Sequence, residues 1–144
     1  MPCRMECEEQ VLSDKDIASV WNTVRMKTGC ADDAVTIRCV SEQEIRELNM
    51  RYRTKDHPTN VLTFSYTNPP EHDIALCMDV ARREATERNV SLRDYTALLV
   101  VHGLLHVTGM DHEDSPAEDE HTQVLEREIL NECGFVPVSL SDVY

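Results

Sequence analysis

The chain has no long apolar run. Its longest, Ala97 to Val101, falls far short of the ~20 residues that cross a bilayer, so a helical membrane span is excluded and no membrane partner is expected. Glycine and proline are sparse, at four and six residues, and no repeat or low-complexity tract is visible. With 41% hydrophobic residues, that composition describes an ordinary globular protein rather than a disordered or collagen-like one. A length of 144 residues fits one domain spanning 1–144. The start, Met1-Pro2-Cys3-Arg4-Met5-Glu6, lacks a basic segment followed by an apolar stretch, and its acidic residues oppose an amphipathic transit peptide. A cytoplasmic location is therefore expected. No C-x-x-C pair occurs among the cysteines at 3, 7, 30, 39, 77 and 133. Without a sign of secretion all six read as reduced thiols, Cys39 and Cys77 as core residues, and Cys3 with Cys7 as unpaired rather than metal-binding.

Positive charge is also scarce, with 14 Lys and Arg against 27 Asp and Glu and a net charge of −13. That balance opposes nucleic-acid binding, because phosphate contacts need cations that release counterions. The distribution is uneven, however. Arg46, Arg51, Arg53 and Lys55 cluster in one stretch, whereas Asp111 to Glu132 carries many acids and only Arg127 against them, and a local field can differ from the net charge.

Helices and strands alternate along the chain. Ser13 and Asp16 open a helix whose apolar residues Ile17, Val20, Trp21 and Val24 recur at helical spacing until Gly29. Val35 to Val40 reads as a strand. Ser41 and Glu44 form a capping box before a second helix with Ile45, Leu48 and Tyr52 on one face. After Pro58, Val61 to Tyr66 and Ile74 to Met78 read as neighbouring strands around an Asn68-Pro69-Pro70 turn. Helices follow over Asp79 to Asn89, from Leu92 to Thr108 behind a Ser91 cap, and from about Pro116 to Cys133 before Gly134. The expected fold class is α+β: a small mixed sheet flanked by helices, with the apolar helix Thr96 to Thr108 central and packed under the sheet.

That central helix carries the chemistry. His102 and His106 are four apart and share one helical face, and Gly109 permits the positive φ that turns the chain back to bring His112 to the same point. Three imidazoles hold one divalent ion, Zn2+ above all, and leave one coordination position open. Such an open site generates a nucleophilic water or acts as a Lewis acid. The spacing matches the H-E-x-x-H-x-x-G-x-x-H of metzincin proteases except that Gly103 stands where the Glu should be. Without that carboxylate, peptide hydrolysis lacks its general base, and Asp111, Glu113 and Asp114 follow the helix end and approach from another direction. A phosphodiester asks instead for stabilisation of phosphate charge, which a metal and an arginine supply. Arg53 suits this, with Lys55 adding a point charge, although from the residues alone Arg53 reads first as a solvated or ion-paired helix-end side chain. His57 and His121 read as surface histidines.

Two motifs resemble those of the YbeY family of metal-dependent endoribonucleases. Leu48-Asn49-Met50-Arg51-Tyr52-Arg53-Thr54-Lys55-Asp56-His57-Pro58-Thr59-Asn60-Val61-Leu62-Thr63-Phe64 is similar to that family's LN-x-x-YR-x-KD-x-PT-[DN]-VLSF segment. His102 to His112 is similar to HG-x-LHL-x-GYDH, and Asp73-Ile74 to the end of a GDI element. The resemblance implies a zincin-like central helix, one zinc ion on His102, His106 and His112, His102 also acting in catalysis, and Arg53 as catalytic arginine. It further implies single-stranded RNA as substrate, maturation of the small-subunit ribosomal RNA 3′ end, ribosome quality control, and the ribosomal small subunit with its assembly proteins as partners. Departures are His72 for Gly, Met110 for Tyr and Thr63 for Ser; the first is expected to alter the turn before a strand. Two other functions compete: a zinc hydrolase of peptides or small molecules, and a non-catalytic ribosome assembly factor whose acidic surface meets basic proteins. Oligomeric state stays open.

Overall fold

In a computed structural model that describes residues 3–30, 34–67, 70–109 and 116–137, nine elements follow in the order β1 (Cys3–Glu6), α1 (Asp14–Thr28), β2 (Ala34–Cys39), α2 (Glu42–Arg53), β3 (Val61–Thr67), β4 (Pro70–Leu76), α3 (Met78–Glu87), α4 (Leu92–Val107) and α5 (Pro116–Glu132). The strands form one mixed sheet in the order β1-β2-β4-β3, with β3 antiparallel to β4 and the other neighbours parallel. This is the expected α+β class.

The helix signals act where the sequence puts them. Ser13 Oγ accepts from the Asp16 N–H and the Asp16 carboxylate from the Ser13 N–H, closing a capping box, and Gly29 ends α1 at φ 71°. Ser41 and Ser91 each accept from the N–H three residues on, capping α2 and α4. Such caps satisfy donors that a helix start leaves without intrahelical partners.

Alternation along the strands divides the core in two. Val35, Ile37, Ile74 and Leu76 pack with α1, α4 and α5 residues in the larger cluster, while Leu62 and Ala75 meet Ile45 of α2 and Val80 in the smaller one. Helix α4 thus lies on one face of the sheet and α2 on the other. Eleven of the residues of α4 are buried, among them Leu98, Leu99, Val101, Leu104 and Leu105. A helix apolar on all sides is stable only when surrounded, and α4 packs against α1, α3, α5, β3 and β4.

Four expectations are corrected. β1 is a strand that the sequence reading missed, because its four residues alternate as buried Cys3, exposed Arg4, half-buried Met5 and exposed Glu6, too short a run to signal. β4 starts at Pro70 rather than Ile74, so His72 lies inside it, beside Ser65 and Val35, and not in a turn. Extended backbone at that position accepts a histidine readily. Tyr52 is 60% exposed, and α2 buries Ile45 and Asn49 instead. Finally, Cys7 and Cys39 form a disulfide, with Cα atoms 5.1 Å apart. The parallel register that pairs Glu6 with Arg38 puts the next two residues side by side, a proximity invisible to a search for local cysteine spacing. Cys3, Cys30, Cys77 and Cys133 are free thiols, as expected for them. Of the expected Asn68-Pro69-Pro70 turn, Asn68 and Pro69 lie outside the described residues.

Candidate metal centre

Helix α4 delivers two imidazoles to one point. His102 Nε2 and His106 Nε2 are 3.2 Å apart, with ring planes at 71°. Two nitrogens each ~2.0–2.1 Å from a tetrahedral zinc ion stand about 3.3 Å apart, so the pair fits that ion. The other nitrogen of His102 is committed: Nδ1 lies 2.6 Å from Glu126 Oε2. Glu126 is only 2% exposed, and a carboxylate accepts, so Nδ1 carries the proton and Nε2 is left with the lone pair that a metal ion would take. A carboxylate behind a histidine in this way fixes ring orientation and tautomer and raises ligand basicity.

Glu126 was not singled out by sequence reasoning, which counted it only among the many acids from Asp111 to Glu132. A signal existed. Among the described positions of α5 those buried are Thr122, Glu126, Ile129 and Leu130, so a carboxylate occupies the stripe that a helix turns toward the core. A buried charge is retained only with a partner. His112, the expected third ligand, lies outside the described residues, and within them two imidazoles converge rather than a full set of three ligands.

Gly103 explains the missing protease carboxylate. A Cβ there would stand 3.1 Å from Ile74 Cδ1, 3.2 Å from Ile74 Cγ2 and 3.5 Å from Thr63 Oγ1. Helix α4 rests directly on β3 and β4 at this residue, so the side chain at position 103 faces the sheet and not the ion. The general base of a metzincin has no place here.

Arg53 and Lys55 are carried by the C-terminal end of α2, on the sheet's other face, and both are exposed. Their backbone is held firmly. Thr54 takes a left-handed φ of 56°, the Thr54 N–H donates to Met50 O and the Lys55 N–H to Asn49 O. The buried Asn49 side chain donates to His57 O at 2.8 Å, and Arg46 Nε donates to Asp56 Oδ1 at 2.8 Å. That pairing holds the Asp56 carboxyl below its ordinary range, and it removes Arg46 from the cationic cluster as a phosphate ligand. His57 and His121 are exposed, as expected of surface histidines.

Over residues 5–134 the sequence matches the family described as Endoribonuclease YbeY. An Endoribonuclease YbeY from Delftia acidovorans (strain DSM 14801 / SPH-1) is 45% identical over 106 residues, covering 72% of this chain and 70% of the relative. Another from Pseudomonas putida (strain W619) is 44% identical over 122 residues, covering 79% and 76%. A Thermotoga maritima protein solved in solution shares the fold with a TM-score of 0.61 and 28% identity, covering 90% of each chain. Taken with the paired imidazoles on the central helix, this match across most of its length establishes that the chain belongs to the YbeY endoribonuclease family.

Proposed function

We propose that the chain, as one domain over 1–144, is a zinc-dependent endoribonuclease that cuts single-stranded RNA. The observation that carries the reading is the convergence of His102 Nε2 and His106 Nε2 at a separation suited to one ion, with Glu126 buried behind His102. Together with His112, these imidazoles would hold a Zn2+ ion, which would supply Lewis acidity toward a phosphoryl oxygen or lower the pKa of a water. Arg53, offered on a clamped helix end, binds the non-bridging phosphate oxygens in the bidentate geometry of a guanidinium. Lys55 adds a point charge to the same phosphate chain. His102 is held in one tautomer by Glu126, so its role requires no rearrangement of protons on the ring.

The target is the 3′ end of small-subunit ribosomal RNA, in maturation and in quality control of the ribosome. The working partners are the small subunit and its assembly proteins, for which the acidic surface, at a net charge of −13, provides complementarity to basic proteins. The site of action is the cytoplasm, in keeping with helices none of which is long and apolar enough to span a bilayer among the described residues. Gly103 packed on the sheet disfavours the peptidase alternative.

The test is cleavage of an end-labelled single-stranded RNA by metal-analysed wild type beside His102→Ala and Arg53→Ala prepared identically. Wild type alone should cut. Equal activity in all three, or silence in wild type holding one ion, removes the nuclease reading in favour of ribosome binding without turnover.

A further inference from the structure

Aromatic residues are rare, with two Phe, four Tyr and one Trp, and their placement is uneven. Trp21, Tyr95 and Phe135 are buried in the core. Every other aromatic among the described residues, namely Tyr52, Phe64 and Tyr66, lines a single groove between α2 and the α2-facing side of the sheet. Tyr52 is 60% and Tyr66 54% exposed, and Tyr52 meets Phe64 edge-to-face with ring centroids 5.0 Å apart. Leaving two tyrosine rings in water forgoes the burial that retains aromatics in cores. Singly exposed apolar residues need no explanation, but a cluster does.

The groove's position relates it to the imidazoles. β3 is the last strand of the sheet, so its outer edge pairs with no further strand among the described residues. Phe64 and Tyr66 point to the α2 side, while Thr63, between Leu62 and Phe64, touches Gly103 of α4 on the other. Helix and strand advance together. Tyr95 near the start of α4 and Asn60 just before β3 both bond Glu84 Oε1. From there about 12 Å of helix leads to Gly103 and about 10 Å of chain to Thr63, where the two touch. His106, about 4.5 Å further along the helix, therefore comes level with Phe64 and Ser65. The aromatic groove and the α4 residues packed on Thr63 thus lie on opposite faces of the edge strand.

Cations stand close to the groove in sequence. Arg51, Arg53 and Lys55 flank Tyr52 in sequence at the same end of α2. Asp73 in the groove is paired with Arg38 at 3.2 Å, and the groove's other carboxylate is that of Glu44.

We propose that the Tyr52–Phe64–Tyr66 groove is a base-stacking subsite for single-stranded RNA that crosses the outer edge of β3 into the imidazole site. This rests on the RNA-cleaving reading and adds to it where the flanking nucleotides lie. Exposed aromatic faces beside a cationic track are how proteins hold single strands without reading their sequence. Bases paired in a duplex do not offer their faces to such a groove, so the subsite selects unpaired RNA.

The experiment measures binding of a fluorescein-labelled ten-nucleotide RNA to the full-length, metal-loaded protein by anisotropy, with wild type, Tyr66→Ser, Tyr66→Trp and Tyr52→Leu compared. Tyr66→Ser and Tyr52→Leu should each weaken binding about tenfold, the scale of one lost base stack. Tyr66→Trp should bind as tightly as wild type or tighter, and an RNA with abasic positions should bind wild type weakly and be indifferent to Tyr66→Ser. Wild-type affinity in both Tyr66→Ser and Tyr52→Leu, or a loss equal in Tyr66→Trp and Tyr66→Ser, overturns the subsite. If wild type binds and cuts RNA while the serine variant is unchanged, only the subsite fails; if wild type neither binds nor cuts, the nuclease reading fails with it.

Discussion

With Nδ1 of His102 donating to a carboxylate that is 2% exposed, the imidazole is oriented before any ion arrives, and a ligand that need not be ordered on binding costs less entropy to engage. Removing the acceptor's charge tests this. Glu126→Gln keeps the shape and is expected to weaken Zn2+ binding about 10- to 100-fold, read by competition with a chromophoric chelator; unchanged affinity would leave Glu126 a purely structural partner. Gly103 works by having no side chain. Gly103→Glu, which restores the metzincin pattern, must place a carboxylate against Ile74 and Thr63, combining overpacking with an unpaired buried charge. A loss of more than about 3 kcal/mol is expected, seen as a fall in Tm of about 10 °C or more, without gain of peptidase activity. A stable variant that cleaves casein would refute that account. The convergence of His102 and His106 was legible because spacing on a helix is local. Glu126 was not, because its partner is 24 residues away and only the packing of α5 on α4 shows that its helix face is the buried one.

Among the elements, those whose boundaries carry chemical punctuation were readable: Ser13, Ser41 and Ser91 cap where expected, and Gly29 ends α1. β1 and the start of β4 were not, since the four-residue β1 takes its stability from pairing with the sequence-distant β2 and Pro70 disguises a strand start. The same non-local register creates the Cys7–Cys39 bond that staples the edge strand β1 to β2. Closing a loop of sequence separation 32 restricts the unfolded chain, a stabilisation of about 2–4 kcal/mol. Thiol titration checks it directly. Denatured, unreduced protein should show four thiols, those of Cys3, Cys30, Cys77 and Cys133, and six after reduction, with a lower denaturation midpoint. In the native state Cys30 and Cys133, both half-buried, should react first. Burial pushes the Cys3 thiol up to about 12 and raises that of Cys77 as well, leaving little thiolate to react at neutral pH. Six thiols without reductant would mean the bond does not form.

At the scale of the molecule, a protein of net charge −13 must bind a polyanion against its own long-range field. The arrangement of cations makes this feasible but weak. Arg46 pairs with Asp56, Arg38 with Asp73, and Arg83 with Glu42, while the exposed Arg51, Arg53 and Lys55 at the end of α2 are the group proposed to face phosphate. About three phosphates neutralised on a single strand release counterions with a slope near −0.7 for each. A plot of log binding constant against log salt concentration should therefore fall with a slope of about −2. Proteins that grip RNA through a broad basic surface give much steeper plots, and a slope beyond about −5 would place the RNA on cations outside α2. The shallow slope has a functional corollary. Affinity that depends little on electrostatics is what the proposed stacking groove and imidazole site would supply, since neither relies on long-range charge.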